Sequence, residues 1–288
     1  MPTDALILCN PAAGRGRLQD LPLTRIRGRL REGGIRTELL IPQSRDSEEL
    51  VGRLQEKELL IVCGGDGTIH KVLPAVASTR IPLAILPAGT ANVLAKELRI
   101  PSNVDGAIDV ILQRNRRTVH LGKANGQLFH LMAGVGADGF IISQVGASLK
   151  RMLGILAFWI TGLTRFWSYP LSPFEITLDG TTQRATFAVI SNSKFYGRHL
   201  SLAPSASVFE PKLDLCLFKA DKHLRFLRYL IGVMLGGHLE YPDVSYSKVS
   251  RLEIKGSSTI PVQLDGELAG YLPRKFEVAE ESINAYVG

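Results

Sequence analysis

Three short loops rich in glycine and small polar residues carry the first chemical signal in this chain. They are Asn10-Pro11-Ala12-Ala13-Gly14-Arg15-Gly16-Arg17, Gly64-Gly65-Asp66-Gly67-Thr68 and Pro87-Ala88-Gly89-Thr90-Ala91-Asn92. Glycines let backbone N–H groups approach a polyphosphate, and a helix starting just beyond adds partial positive charge. Thr68, Thr90 and Asn92 put short polar side chains at the same edges, and Arg15 and Arg17 offer charge against phosphate. Asp66 is the odd member. An acid in a phosphate loop calls for a cation between it and the anion, which points to Mg²⁺–nucleotide chemistry. The competing reading is local: tight βα turns, with Asp66 capping a helix. No Walker A pattern is present. Gly134-Val135-Gly136-Ala137-Asp138-Gly139 matches the dinucleotide fingerprint, but that reading wants an acid about 20 residues later. Residues 140–174 hold neither Asp nor Glu, so the segment reads as a tight turn and a Rossmann dehydrogenase is rejected.

The elements that must position the loops come from hydrophobic spacing. Over the first ~120 residues short apolar runs alternate with helical patterns, the mark of βαβ units and a parallel sheet. Strands are expected at residues 5–9, 36–41, 59–63 and 83–86. Helices are marked by Leu23, Ile26 and Leu30, by Leu50, Val51 and Leu54, and by Val104, Ile108, Ile111 and Leu112. Each glycine loop follows a strand, where open α/β sheets bind ligands. From Val119 onward short strands separated by turns take over, at residues 128–133, 174–178, 186–191, 213–218, 250–254, 261–264 and 275–279. Asp179-Gly180 and Asp265-Gly266 are turn dipeptides. Helical segments at 149–167 and 224–239 interrupt them. The expected fold is thus a Rossmann-like α/β domain with a parallel sheet at residues 1–120 and an antiparallel β-sandwich at 121–288. A cleft is expected between them, and the last residues are free to pack back on the first domain.

Composition narrows the class. With 45% hydrophobic and 21% charged residues, the chain is globular. Residues 1–10 show no basic region of a signal peptide, and the most apolar stretch, residues 152–163, is shorter than the ~20 residues of a membrane-spanning helix. Cys9, Cys63 and Cys216 form no CxxC pair and read as buried reduced thiols of a cytosolic protein. The six histidines show no zinc spacing. A net charge of +7 favours anionic partners.

At these residues the chain resembles the soluble diacylglycerol kinase catalytic-domain family of bacterial lipid kinases, relatives of the sphingosine kinases. The matching pieces, in family order, are Asn10-Pro11 with Gly14, residues 64–68, residues 86–98, Asn192 with Tyr196-Gly197, residues 202–206, and Leu264-Asp265-Gly266-Glu267. The second piece is shared with NAD kinases and phosphofructokinases; the ordered set is more specific. The resemblance implies ATP in the cleft, held by Asn10, Gly65, Asp66, Gly67, Thr68 and Thr90, with Gly64, Gly89, Asn92 and Arg15 on the same loops. It implies a proton acceptor on the Asp-Gly-Glu turn, which is Glu267, with Asp265 beside it. A carboxylate presented on a glycine turn can take a proton from a substrate hydroxyl as phosphoryl transfer proceeds.

The chain also departs from the family. His70-Lys71 stands where Asn-Glu is usual. Phe209-Glu210-Pro211 stands where a metal site has Asp-Gly, leaving Glu210 as the candidate carboxylate and Asp214 as an outward-facing strand residue. Residues 41–46 lack the usual Thr before Gly-Asp.

For the acceptor, residues 140–174 hold both tryptophans together with Lys150, Arg151 and Arg165, and Leu149, Leu153, Leu156, Ile160 and Leu163 recur at helical spacing. A basic amphipathic helix of this kind suits a membrane interface, and 224–239 has a similar character; core packing is the alternative for both. Expected partners are a lipid substrate and an anionic membrane surface, with a homodimer left open. Nucleic acid is not expected, since Arg25, Arg27, Arg29 and Arg31 lack an interleaved aromatic platform. The leading expectation is an ATP- and Mg²⁺-dependent lipid kinase, cytoplasmic and peripherally bound to membrane. A soluble kinase such as NAD kinase, and an inactive nucleotide- or lipid-binding module, are the alternatives.

Overall fold

The computed structural model describes residues 2–10, 22–42, 47–144, 166–178, 180–197 and 200–288. They form two compact units, Met1–His120 with Glu280–Gly288, and Leu121–Ala279.

In the first unit β1 (Thr3–Cys9), β2 (Ile35–Leu40), β3 (Leu59–Gly64) and β4 (Leu83–Pro87) pair in parallel in the order β2-β1-β3-β4. Every residue of β3 is buried, as a parallel strand covered on both faces must be. The helices α1 (Leu23–Glu32) and α5 (Val104–Gln113) pack together, as do α2 (Ser47–Leu54) and α3 (Asp66–Thr79). Ile26 and Leu30 turn the buried stripe of α1 inward, while Ile69, Val72, Leu73 and Val76 do so for α3. Asn103 caps α5 through its Oδ1, which accepts the Gly106 N–H at 2.7 Å. Because β2 and β3 lie on opposite sides of β1, the chain reverses its winding there. The carboxyl ends of β1 and β3 therefore flank the crevice where such sheets take ligands.

The second unit contains a six-stranded antiparallel sheet. Its strands are β7 (Met132–Gly136), β10 (Phe187–Ser191), β11 (Leu213–Phe218), β12 (Val244–Val249), β14 (Pro261–Leu264) and β15 (Glu267–Tyr271), in the order β12-β11-β10-β7-β14-β15. Alternate residues go to opposite sides. Ala133, Val135, Ala188, Ile190, Leu213, Leu215 and Leu217 join one core with Phe174, Ile176, Ile254 and Phe276. The last four come from β8 (Phe174–Leu178), β13 (Arg251–Lys255) and β16 (Arg274–Tyr286), where β13 pairs with both β8 and β16. Met132, Phe187, Val189, Cys216 and Phe218 face the other way, onto Phe226, Tyr229 and Val233 of α7 (His223–Leu235). Both faces of β11 are thus covered and all six of its residues are buried.

The fold class expected from the sequence is the one observed. Three local readings change. The segment 134–139 is not a turn: β7 runs into α6 (Ala137–Gln144) there. Asp214 is not outward-facing but fully buried, its Oδ1 accepting the Tyr246 hydroxyl at 2.5 Å. Strands β5 (Arg116–Ala124), which pairs with β6 (Gln127–Phe129), and β9 (Thr181–Ala185) join β12 and β15 in occupying stretches where none was expected. All three cysteines are free and buried, and no helix among the described residues is long and apolar enough to cross a membrane. Most of the 149–167 segment lies outside the described residues.

Candidate active site

The first unit's loops are knitted together at the carboxyl ends of β1, β3 and β4. Asn10, just past β1, donates its Nδ2 to the Thr68 Oγ1 at 3.2 Å. Thr68 is buried on the first turn of α3, which starts directly after β3 with Gly65 as N-cap. The Ala88 N–H reaches the Gly64 carbonyl at 3.1 Å, drawing the β4 loop against the β3 loop. Glycine is obligatory at the meeting point: a Cβ on Gly89 would fall 2.5 Å from the Cα of Gly65. Asn92, in left-handed conformation, closes its own loop by accepting the Gly89 N–H at 2.8 Å and donating to the Gly89 carbonyl at 3.0 Å. Thr90 is exposed at the tip, and Arg15 lies outside the described residues.

Asp66 caps a helix, but not its own. Its Oδ2 accepts the Val93 N–H and its Oδ1 the Leu94 N–H, both at 3.0 Å, at the start of α4 (Val93–Glu97). The acid thus ties the β3 loop to the loop after β4. Each oxygen engages one backbone donor and keeps lone-pair capacity, so the residue still fits a role near a hydrated cation.

In the second unit Asp265 and Gly266 join β14 to β15, which begins at Glu267. Asp265 has φ 49° and Gly266 φ 83°, both in the left-handed region, as a two-residue type I′ hairpin demands. The Asp265 side chain is completely buried. It accepts the backbone N–H groups of His130 at 3.0 Å, Leu131 at 2.8 Å and Met132 at 3.1 Å, and His130 Nδ1 lies 2.7 Å from its Oδ2. The Asp265 N–H in turn donates to the Met132 carbonyl at 2.9 Å. Asn192 braces the same segment, donating its Nδ2 to the His130 carbonyl at 2.9 Å and its N–H to that of Leu131 at 2.7 Å. Glu267 emerges from this turn partly exposed, and no described residue hydrogen-bonds to its carboxylate.

Glu210, the candidate cation carboxylate, pairs its Oε2 with the Lys248 ammonium. Burial raises the Asp214 pKa, and the Tyr246 hydroxyl and then the Lys248 ammonium offset part of that. His70 and Lys71 sit on the first turns of α3, half-buried and exposed respectively.

Three buried residues near the turn, two of them hydrogen-bonded to each other, are not marked by the sequence as site residues. Gln263 is 1% exposed; its Oε1 accepts the Gly266 N–H and its Nε2 donates to Asp138 Oδ2, each at 2.7 Å. Asp138 Oδ1 accepts the Tyr196 hydroxyl at 2.5 Å. Burial raises the Asp138 pKa, and the two donors offset part of that. His130 is the third. Tyr196 and Asn192 are marked only as motif matches.

A model described as the diacylglycerol kinase catalytic domain matches residues 4–124, and one described as the YegS C-terminal NAD kinase beta sandwich-like domain matches residues 132–287. The diacylglycerol kinase of Bacillus subtilis (strain 168) is 31% identical over 228 residues, covering 77% of this chain and 75% of its own. That of Mycobacterium tuberculosis (strain ATCC 25618 / H37Rv) is 27% identical over 288 residues, covering 96% and 92%. A crystal structure of a diacylglycerol kinase from Bacillus anthracis str. Sterne matches with TM-score 0.74 at 22% identity, over 99% of this chain and 97% of that one. Another structure from the same organism reaches 0.82 at 24% identity, over 99% and 95%. At such identities the likeness to solved structures speaks for the fold.

Proposed function

This chain belongs to the diacylglycerol kinase catalytic-domain family, and we propose that it transfers the γ-phosphoryl group of ATP to a hydroxyl of diacylglycerol or a related lipid, with Glu267 as proton acceptor. The observation that carries this reading is the division of labour in the Asp-Gly-Glu hairpin. Asp265 is committed to three backbone donors and buried, so it holds the turn. Glu267, partly exposed, is left to meet a hydroxyl.

In this reading the ATP phosphates take up backbone donors of the loops at residues 64–68 and 87–92 and of the segment at Asn10. Asn10 and Thr68 hold two of these pieces against each other, and Asp66 fixes the α4 N-terminus. Helix N-termini such as that of α3 favour negative charge. Mg²⁺, when bound with the nucleotide, neutralises the phosphates and stabilises charge on the leaving oxygen. Glu267 accepts the proton as the acceptor oxygen forms its bond to phosphorus and the bond to the ADP oxygen breaks. A lipid acceptor agrees with α7, where Leu224, Leu227, Ile231, Met234 and Leu235 are exposed, while Lys222 and Arg228 supply charge for an anionic membrane surface.

The test is transfer of labelled phosphate from ATP into mixed micelles carrying diacylglycerol, phosphatidylglycerol, sphingosine or ceramide, with NAD as a soluble comparison. Label should enter one lipid, and Glu267→Gln should lower turnover by about 10² or more with ATP affinity nearly intact. Label in NAD would move the chain to the soluble kinases; ATP bound but unspent would make it a binding module.

A further inference from the structure

We propose that Gln263, locked in orientation by Asp138 and Tyr196, is a positioning residue for phosphoryl transfer: it fixes the Gly266 amide and so the direction in which the hairpin presents Glu267. The inference rests on the role just given to Glu267 and extends it to residues that reach it through the hairpin.

The hairpin is held from two sides. On one, the Asp265 carboxylate grips residues 130–132. On the other, the Gly266 N–H donates to Gln263 Oε1 at 2.7 Å. The Gly266 N–H lies in the Asp265–Gly266 peptide, so this bond pins the plane of the turn one residue before Glu267, and with Gly266 held in its left-handed conformation it sets the path by which the chain enters β15. An amide has two unlike ends, and a free one can turn over and set N–H against N–H. Here it cannot do so without loss. Turned over, the amide would set its NH2 against the Gly266 N–H and its oxygen against Asp138 Oδ2, losing both 2.7 Å bonds. Tyr196, donating to the other Asp138 oxygen, fixes the carboxylate in turn. A chain of buried hydrogen bonds of this kind is costly to break, because a buried polar group that loses its partner has no water to replace it.

The sequence makes room for the network. Gly134, on β7, pairs in register with Gln263. A Cβ there would lie 2.2 Å from Asp138 Oδ2 and 2.8 Å from Gln263 Nε2. The glycine pattern that imitates a dinucleotide fingerprint is explained on this basis: its first glycine clears space for an acid four residues later to reach across to β14. The pairing of β14 with β15 also shifts register between Val262 and Gln263, so an irregularity sits beside the residue that steers the turn. Among the described residues, Asp138 and Tyr196 are the titratable groups hydrogen-bonded in the amide's network, and the hairpin it holds carries Asp265, which contacts His130, and Glu267.

The full chain carrying Gln263→Leu, Gln263→Glu, Asp138→Asn or Tyr196→Phe tests this with two readouts. Gln263→Leu should lower kcat about tenfold or more while KM for ATP stays within about twofold. Amide exchange of a peptide spanning the hairpin, read by mass spectrometry, should quicken about tenfold, and Asp138→Asn and Tyr196→Phe should follow in the same direction. Gln263→Glu adds a pH-dependent arm. While neutral, the carboxyl it introduces can donate to Asp138 and accept from Gly266, as the amide does; once ionised it meets like charge. The kcat of Gln263→Glu relative to Gln263→Leu should therefore be high near about pH 6 and fall toward one near about pH 8. Wild-type kcat in Gln263→Leu, unchanged exchange, or a flat ratio across pH would each overturn the proposal. If the wild type transfers no phosphate, or Glu267→Gln is fully active, the role of Glu267 fails; the exchange measurement still decides whether Gln263 holds the turn.

Discussion

Asp66 in the first unit and Asp265 in the second stand beside glycines in loops expected to do chemistry, and both give their carboxylates to backbone N–H groups. They differ in what the capping achieves. Asp66 remains partly exposed and joins two loops whose own backbone would receive phosphate. Asp265 is sealed away, and what it secures is the exit angle of another acid two residues on. A carboxylate in a glycine turn is therefore not by itself a reactive group. Exposure and spare lone pairs separate one that can face a ligand from one that builds the frame.

Breaking each cap should hurt different parameters. Asp66→Ala leaves the Val93 and Leu94 donors without their acceptor and loosens two loops at once, so activity should fall by about 10² or more, with weaker ATP binding measured by nucleotide titration. Activity within about threefold of wild type would remove Asp66 from the site. Asp265→Asn is milder. One amide oxygen cannot serve three N–H groups, so stability should drop by about 1–3 kcal/mol, which a melting curve reads as roughly 2–4 °C per kcal/mol for a chain of this size. Turnover should fall about tenfold with KM for ATP unchanged. If both variants shifted the same constant, the two aspartates would share one role and the contrast would collapse.

The same contrast marks what is legible in the sequence. Strands with a buried face carry apolar residues in unbroken runs or in alternation, and β8, β11 and β14 begin and end where hydrophobicity alone places them. The strands β9 and β12 lie at sheet edges and are largely polar, so no such pattern marks them. The glycine loops and the Asp265-Gly266 turn announce themselves because special backbone conformations demand special residues. Partners of polar side chains do not. Asp66 meets α4 27 and 28 residues on, and Asp138 meets Tyr196 and Gln263 at separations of 58 and 125 residues. No periodicity encodes those distances; the register of β7 with β14 brings Gln263 to Asp138. For the same reason Asp214, a lone acid on an apolar strand, gives no sign in the sequence that its side chain is buried against Tyr246.

Exposed apolar surface gives the last and smallest contrast. In the first unit Ile41 is the one exposed large apolar side chain among the described residues, whereas the second exposes Trp167, Leu268, Tyr271 and six residues of α7. The α7 residues cannot all be core, since Phe226, Tyr229 and Val233 already fill that side of the helix. Burying one such Leu or Ile in a bilayer interface is worth up to about 1.5–3 kcal/mol, and basic neighbours add about 1 kcal/mol each near an anionic surface. Leu227→Glu with Ile231→Glu should therefore weaken binding to phosphatidylglycerol-containing vesicles by about tenfold or more in a sedimentation assay. Phosphorylation of diacylglycerol in those vesicles should fall with it, while turnover of a short-chain diacylglycerol dissolved as monomer should be unchanged. Equal loss on both substrates would mean that the α7 stripe supports the fold or the site itself, and the membrane would have to be met by another face.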